Sequence, residues 1–202
     1  FFISSSHWGQ SDNPVLDSIV SADQAMRIDM TVDYKTRQTQ DSIHRVEVLK
    51  LDEHGQIRTS DDYYNAALVF QHGSSSKDYS QALEFMSKSI QLDTNRSKWL
   101  YAAIKDRLLL SLGKPQIYCT QITCVRKKCK VDKYKDSITD EERIRMGAAP
   151  LQMQLDLAEE YTREMKCKSL ADLVGKDSID NIVQLIRSEH AQGKKAKYYV
   201  SD

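Results

Sequence analysis

Residues 99–121 have the sequence WLYAAIKDRLLLSLGKPQIYCTQ, and this stretch decides the fold that we predict. Its first half is the most apolar helix-length run in the chain, and it carries Asp106 and Arg107 in its middle. The Gly-Lys-Pro sequence at 113–115 ends this helix, because proline has no N–H group with which to continue it. A short polar strand is predicted to follow. We therefore expect the other helices to pack against a central helix over residues 96–112.

The Asp106 carboxylate is the unusual group in this helix. Its neighbours one helical turn away include Ala103 and Leu110. A carboxylate in apolar surroundings must find a hydrogen-bonding partner or take up a proton. Arg107 points about 100° away from it, so the two side chains are expected to bond different neighbours. We predict that this charged pair is joined to the glutamine-rich strand after Pro115.

Length and charge limit the classes of function. A chain of 202 residues can form one domain with its own core. Lys and Arg together number 29, as do Asp and Glu, so the formal net charge is zero. Phosphate-backbone binding needs a surplus of cations, and we therefore expect no nucleic-acid partner. No apolar run approaches the roughly 20 residues that span a bilayer, so no membrane span is expected.

The N-terminal residues 1–10, FFISSSHWGQ, are predicted to be the remnant of a secretion signal. Two aromatic residues and an isoleucine, followed by small polar residues, are typical of the end of such a signal. A disordered chain end is the alternative. We expect an exported protein, periplasmic or extracellular, with a single mainly helical domain over 14–190 and a polar tail over 191–202.

Four cysteines could form disulfides in an oxidising compartment. Cys119, Cys124 and Cys129 are five residues apart on one candidate hairpin, whereas Cys167 is remote. A bridge within the hairpin is expected, but the spacing does not decide which cysteines pair. The two-residue spacing of paired zinc ligands is absent, so no metal is expected. The chain also lacks a phosphate loop and a Rossmann glycine pattern, so no other cofactor is expected.

Helical periodicity predicts a mainly α protein with about seven helices arranged as hairpins. Asp23 and Arg27 are four residues apart on the first helix and are expected to pair. The second helix, over Asp33–Leu51, is predicted to be more exposed, with a solvated His44. The other expected boundaries are an opening proline at Pro14 and Pro150, capping residues at Ser60 or Asp61, Asp78, Thr139 and Ser178, and a left-handed Gly73.

Residues 78–95, DYSQALEFMSKSIQLDTN, resemble the second helix of a tetratricopeptide-type repeat. Only one copy is visible, and a stable array of such repeats needs about three. We therefore predict a local helical hairpin rather than a repeat array.

The pattern changes to alternating β-branched residues after Pro115, which predicts one strand or a hairpin between residues 115 and 134. A basic run lies on it. Its members are Arg126, Lys127, Lys128, Lys130, Lys133 and Lys135. We interpret this run as a solvated, lysine-protected sheet edge. Contact with phosphate or an anionic surface is the alternative.

The motif Asp106-Arg107, followed by Gln116-x-Tyr118-x-Thr120-Gln121, resembles that of an uncharacterised family of bacterial proteins. Members carry Asp-Arg in a helix and then a Gln-x-Tyr/Phe-Gly-Thr-Gln strand. Further matching pieces are Asp23, Gln24 and Arg27, the turn Phe70–Gly73, and residues 140–151. The resemblance covers roughly residues 23–157 and implies a mostly helical domain of unknown function, without a reaction.

One residue departs from that family pattern. The glycine before Thr-Gln is Cys119 in this chain. If the family needs glycine there for a positive φ or a close backbone approach, this copy is expected to bind differently or to have lost an activity.

Eight polar residues are candidates for a site. They are His72, Asp106 and Arg107 for catalysis, and Gln71, Gln116, Tyr118, Thr120 and Gln121 for binding. The chain topology could bring the end of the third helix, the middle of the fifth and the strand together, giving an acid or base, a cation and amide donors. Alternatively, these groups satisfy one another in a buried network. Cys119 as a nucleophile with His72 is disfavoured, because the resemblance places glycine there.

From the sequence we predict a monomeric module that binds a protein or a small ligand through a polar pocket or a buried polar network. The alternative is a small hydrolase-like enzyme that uses His72, Asp106 and Arg107. The two hypotheses differ in geometry. An enzyme predicts that these side chains converge in an open cleft, whereas a module predicts that the polar set is buried and mutually bonded.

Overall fold

A computed structural model describes residues 12–29 and 31–174, with side chains up to residue 165. It confirms a mainly helical fold, with seven helices and one two-stranded antiparallel sheet in this part of the chain. The elements are α1 (Pro14–Ile28), α2 (Tyr34–Glu53), α3 (Ser60–Phe70), α4 (Ser76–Leu92), α5 (Trp99–Ser111), β1 (Ile122–Val125), β2 (Lys128–Val131), α6 (Asp140–Arg145) and α7 (Leu151–Val174).

Three predicted segments fall outside the described residues: the secretion remnant over 1–10, the last helix from Ser178 and the tail over 191–202. The single domain over 14–190 stays a prediction for the same reason. No helix in the described part of the chain is long and apolar enough to cross a membrane.

The hairpin of α3 and α4 is the centre of the main core. Helix α1 packs on α3, and α5 packs on α4. Phe70 of α3 and Phe85 of α4 meet edge to face with their ring centroids 5.5 Å apart, a geometry that adds to the burial of apolar area. The other fully buried side chains of this core include Leu16, Val48, Ala66, Met86, Leu100 and Ile104.

Helix α5 is therefore not the centre that we expected. Leu100 and Ile104 are buried against the core, but residues 108–110 are only partly buried and Leu112 is 51% exposed. The described neighbours cover only one side of α5. Because apolar residues lie on all sides of this helix, some of those in its last turns remain partly exposed.

Two helix starts lie earlier than predicted. Thr59 caps α3 and Ser75 caps α4. Asp62 and Asp78 are the third residues of their helices, and each side chain accepts a hydrogen bond from the backbone N–H of the cap. In α4 the predicted cap, Asp78, is therefore the third residue of the capping box, and Ser75 is the cap itself. The capping box at Thr139 is confirmed.

Gly73 was predicted to be left-handed, and this is wrong. Its φ is not among the positive values of the described residues. The absence of a side chain serves close packing instead, because a Cβ atom at Gly73 would lie 2.2 Å from Cβ of Asp78.

The predicted hairpin is present but shorter than expected. β1 and β2 are joined by Arg126 and Lys127, with φ of 49° and 63°, as a two-residue type I′ turn requires. Cys124 and Cys129 face each other directly and form a disulfide. The described basic residues of the hairpin are exposed, as expected of a solvated edge.

Helix α7 packs on β2 and forms a second, smaller core. Its buried members are Cys119, Val131 and Ala158. The backbone N–H of Cys129 donates to the Thr162 hydroxyl at 2.8 Å. β2 is thereby bonded to α7, and Cys119 brings the loop before β1 into the same core.

Candidate functional site

The Asp106 carboxylate is fully buried and holds the loop that follows α5. Its Oδ1 accepts from the backbone N–H groups of Ile117 and Tyr118 at 2.8 and 3.0 Å. Its Oδ2 accepts from the N–H and the hydroxyl of Thr120 at 3.0 and 2.8 Å. The first strand of the predicted hairpin therefore begins only at Ile122, because the N–H groups of the preceding loop point at one carboxylate rather than along a sheet.

Gln116 closes the same loop from the other side. The side chain is fully buried. Its amide donates to the backbone C=O of Gln121 and accepts from the backbone N–H of Gln121, both at 3.0 Å. It also donates to the Asp132 carbonyl at 2.9 Å. Gln121 in turn donates to the Thr120 hydroxyl at 2.9 Å. Residues predicted to bind a ligand thus satisfy one another, as the buried-network alternative describes.

Tyr118 and Cys119 complete this loop. Burial is the main reason that the pKa of the Tyr118 hydroxyl is raised, and nearby negative charge at Asp106 adds to it. Burial likewise raises the pKa of the Cys119 thiol, which disfavours the thiolate that a nucleophile needs. Cys119 has φ of 64°, a left-handed conformation that glycine adopts without steric cost.

His72 and Arg107 belong to a different place, a surface pocket of about 420 Å³. Its walls come from α1, α2, the loop between α3 and α4, and α5. Asp106, Gln116, Tyr118, Thr120 and Gln121 do not line it. The expected single cluster is therefore two separate groups, because the adjacent side chains of Asp106 and Arg107 point about 100° apart around α5.

The pocket is lined by four arginines and, among its lining residues, a single carboxylate. The charged lining residues are Arg27, Arg37, Arg45, Arg107 and Asp41. Asp41 forms an ion pair with Arg27, so that carboxylate is already engaged. The local surplus of positive charge contrasts with the zero net charge of the whole chain.

A fully buried carboxylate, Asp23, lies behind the pocket. Its Oδ1 is 2.9 Å from Arg27, as the four-residue spacing predicted. Its Oδ2 accepts from Gln24 at 2.8 Å and lies 2.9 Å from Nδ1 of His72. Burial alone would raise the pKa of Asp23, but His72 and Arg27 outweigh it and hold this pKa below its usual value.

Two further side chains surround this acid. His44 is buried with Nδ1 3.9 Å from Asp23, so the expectation of a solvated His44 is wrong. Gln71 is also buried, and its amide nitrogen is 2.7 Å from Nε2 of His72. Nε2 of His72 thus contacts the Gln71 amide, whereas Nδ1 lies within ion-pair distance of Asp23 without the geometry of a hydrogen bond. His72 also lines the pocket.

The arginines of the pocket have unused donors. Buried nitrogens without a hydrogen-bond partner among the described residues include Nε of Arg27, Arg37 and Arg107, and Nη1 of Arg45. Arg37 bonds only backbone carbonyls, with Nη2 3.1 Å from that of Val32. Arg107 has no ion pair with any described residue. Such buried donors are costly unless an acceptor meets them.

Sequence reasoning missed the α2 side of this pocket. Arg37, Asp41 and Arg45 follow one another at intervals of four and therefore share a helix face. That polar stripe was the available signal. The polar first half of this helix predicts only that the helix is more exposed, which does not assign a site to it.

Within the described residues, no group of His, Cys, Asp and Glu side chains is arranged to hold a metal ion. Comparisons of the chain with protein-family models, with curated proteins and with solved structures find no match. The resemblance to an uncharacterised bacterial family therefore stays a prediction.

Proposed function

We propose that this protein is a ligand-binding module, and that the arginine-lined pocket holds a small anionic ligand. The surplus of positive charge on its walls, four arginines against the single carboxylate of Asp41, carries this proposal. Uncompensated positive charges placed side by side repel one another, whereas an anion would supply both hydrogen-bond acceptors and compensating charge. Guanidinium groups also match the oxygens of such anions with two parallel hydrogen bonds.

Titration calorimetry of the whole chain with inorganic phosphate and with malonate tests this proposal. We expect saturable binding of at least one of these anions, weakened about tenfold in Arg107→Gln, as loss of a charge-assisted hydrogen bond predicts. Arg145 is exposed on α6, away from the pocket lining, and Arg145→Gln is the matched control. Absence of binding, or equal weakening in both variants, would contradict the proposal.

A second candidate function is a small enzyme, hydrolase-like, with His72 as its acid or base. The observation that favours it is the 2.9 Å approach of His72 to the buried Asp23, since a carboxylate that orients an imidazole is a recurring element of acid–base catalysis. Asp23 takes the place that the sequence assigned to Asp106, and Arg107 remains the cation.

Hydrolysis of nitrophenyl acetate and nitrophenyl phosphate by the purified chain tests the enzyme candidate. Turnover that falls at least about a hundredfold in His72→Gln, as loss of general acid–base catalysis predicts, would support it. Turnover that is unchanged in His72→Gln would exclude it and leave the binding module.

Export of a monomeric protein is part of the same proposal. The Cys124–Cys129 disulfide supports it, because disulfides persist mainly in oxidising compartments. Cell fractionation with thiol labelling would test this. Recovery of the protein from the cytosol with both cysteines reduced would contradict export.

A further inference from the structure

The four arginines of the pocket differ in how many ion-pair partners they have. Arg27 is bonded to both Asp23 and Asp41. Arg45 has one carboxylate neighbour, with Nε 3.3 Å from Oδ1 of Asp78, and its Nη1 has no partner among the described residues.

Arg37 and Arg107 form no ion pair within the described part of the chain. The positive charges that are not fully paired thus line two walls of the pocket, Arg37 and Arg45 on α2 and Arg107 on α5.

The uncompensated charge of the pocket distinguishes between classes of anion. Arg37 and Arg107 both lack an ion pair among the described residues, and a carboxylate with its single negative charge would balance only one of them. A phosphate monoester has three terminal oxygens and a charge of about −1.5 to −2 at pH 7. It therefore matches these two guanidinium groups in charge, and its third oxygen leaves an acceptor for Arg45.

The pocket is larger than the anionic group alone requires. Its volume of about 420 Å³ lies in the range of about 300–1,000 Å³ typical of small-molecule sites. Beside the arginines it is lined by Tyr34, Gln38 and Ser42. Gln38 donates to the Tyr34 hydroxyl at 2.7 Å, so this part of the wall presents polar groups and an exposed ring.

We infer that the ligand is a phosphate monoester of a small polar molecule, with its phosphate bridging Arg37 and Arg45 on α2 to Arg107 on α5. This inference rests on the proposed anion-binding function. The polar edge formed by Tyr34, Gln38 and Ser42 contacts the organic part. The compact charge of a lysine would not replace Arg107, because the planar fork is what reaches two phosphate oxygens at once.

Calorimetry of the full chain with four probes tests this inference: glycerol 3-phosphate, inorganic phosphate, malonate and acetate. Malonate is the control for charge, since it is a dianion without a tetrahedral group. We expect glycerol 3-phosphate to bind about tenfold or more tightly than malonate, in keeping with additional charge-assisted hydrogen bonds. Arg107→Lys should lose about tenfold of that affinity although it keeps its charge, whereas Arg145→Lys should lose none.

The calorimetry distinguishes failure of the phosphate inference from failure of the proposed anion binding. If malonate binds as tightly as glycerol 3-phosphate, the phosphate inference is overturned and anion binding stands. If inorganic phosphate binds as tightly as the ester, the organic part of the ligand is overturned. If no probe binds, or if Arg107→Lys and Arg37→Lys leave all affinities unchanged, both the inference and the proposed function are overturned.

Discussion

At the scale of the residue, Asp106 and Arg107 are neighbours with opposite environments. Asp106 is fully buried and accepts four hydrogen bonds from the loop after α5. Arg107 is half-buried at a pocket and has no ion pair among the described residues. The same dipeptide therefore contributes one residue to folding and one to the proposed ligand site.

Substituting each of these two residues separates their roles. Asp106→Ala leaves three buried N–H groups and a hydroxyl without their acceptor, so we expect it to lower the free energy of unfolding by about 3 kcal/mol or more. Arg107→Ala removes no bond within the described structure and should change stability by less than about 0.5 kcal/mol. Urea unfolding of both variants measures this. Equal stability of Asp106→Ala and the unaltered protein would refute the structural role of Asp106.

Cys119 provides a second prediction at this scale. Its positive φ of 64° costs an L-residue roughly 1–2 kcal/mol, and glycine avoids that cost. We therefore expect Cys119→Gly to be more stable than Cys119→Ala by about 1 kcal/mol, although alanine is normally the better residue outside such positions. Thermal unfolding of the two variants compares them. A more stable alanine variant would contradict the strained backbone.

At the scale of the element, local signals predicted the helices better than the loop. Asp23 and Arg27 pair because helical geometry brings residues four apart together, and Thr139 with Glu142 gives the expected capping box. The loop over 116–121 has β-branched residues, yet it folds around Asp106. Its hydrogen-bonding partner is a side chain on another element, and periodicity within the loop contains no information about that partner.

The hairpin of β1 and β2 gives a prediction about its disulfide. Cys124 and Cys129 are only five residues apart, so the bond restricts a short loop of the unfolded chain. We expect the double variant Cys124→Ser, Cys129→Ser to lose about 2 kcal/mol of stability, the chain-entropy value for so short a loop. Denaturant unfolding of the double variant measures the loss. Loss of the entire fold would contradict this expectation, because the disulfide would then stabilise far more than its own short loop.

At the scale of the whole molecule, the pocket depends on helices that are distant in sequence. Arg27, Arg37 and Arg107 lie on α1, α2 and α5, and only tertiary packing places them together. The sequence therefore predicted the mainly helical fold and several individual pairs, but it could not predict this site. Arg107 is recognisable as a candidate because it lies in an apolar helix. Arg37 and Arg45 lie in a polar segment, where nothing distinguishes them from ordinary surface residues.

Acid stability should depend on the buried carboxylate behind the pocket. His72 and Arg27 hold the pKa of Asp23 below its usual value despite burial, while the unfolded chain has an Asp pKa of about 3.9. This contribution to stability is complete above pH 4 or so and is lost as the pH falls through the lower folded-state pKa. Asp23→Asn should thus flatten the decline in unfolding free energy below about pH 4.

The control for this experiment is Glu47→Gln, because Glu47 is exposed on α2. Urea unfolding between pH 7 and pH 3 should show the same acid-dependent decline in Glu47→Gln as in the unaltered protein. An unchanged decline in Asp23→Asn would mean that Asp23 does not contribute to acid sensitivity.

A crystal structure of the protein grown with glycerol 3-phosphate tests most directly whether the arginine pocket binds an anion. We predict density for a tetrahedral group within hydrogen-bonding distance of Arg37 and Arg107, with the rest of the ligand towards Tyr34. A pocket without bound ligand at saturating concentration, or an ester bound only outside it, would contradict the account.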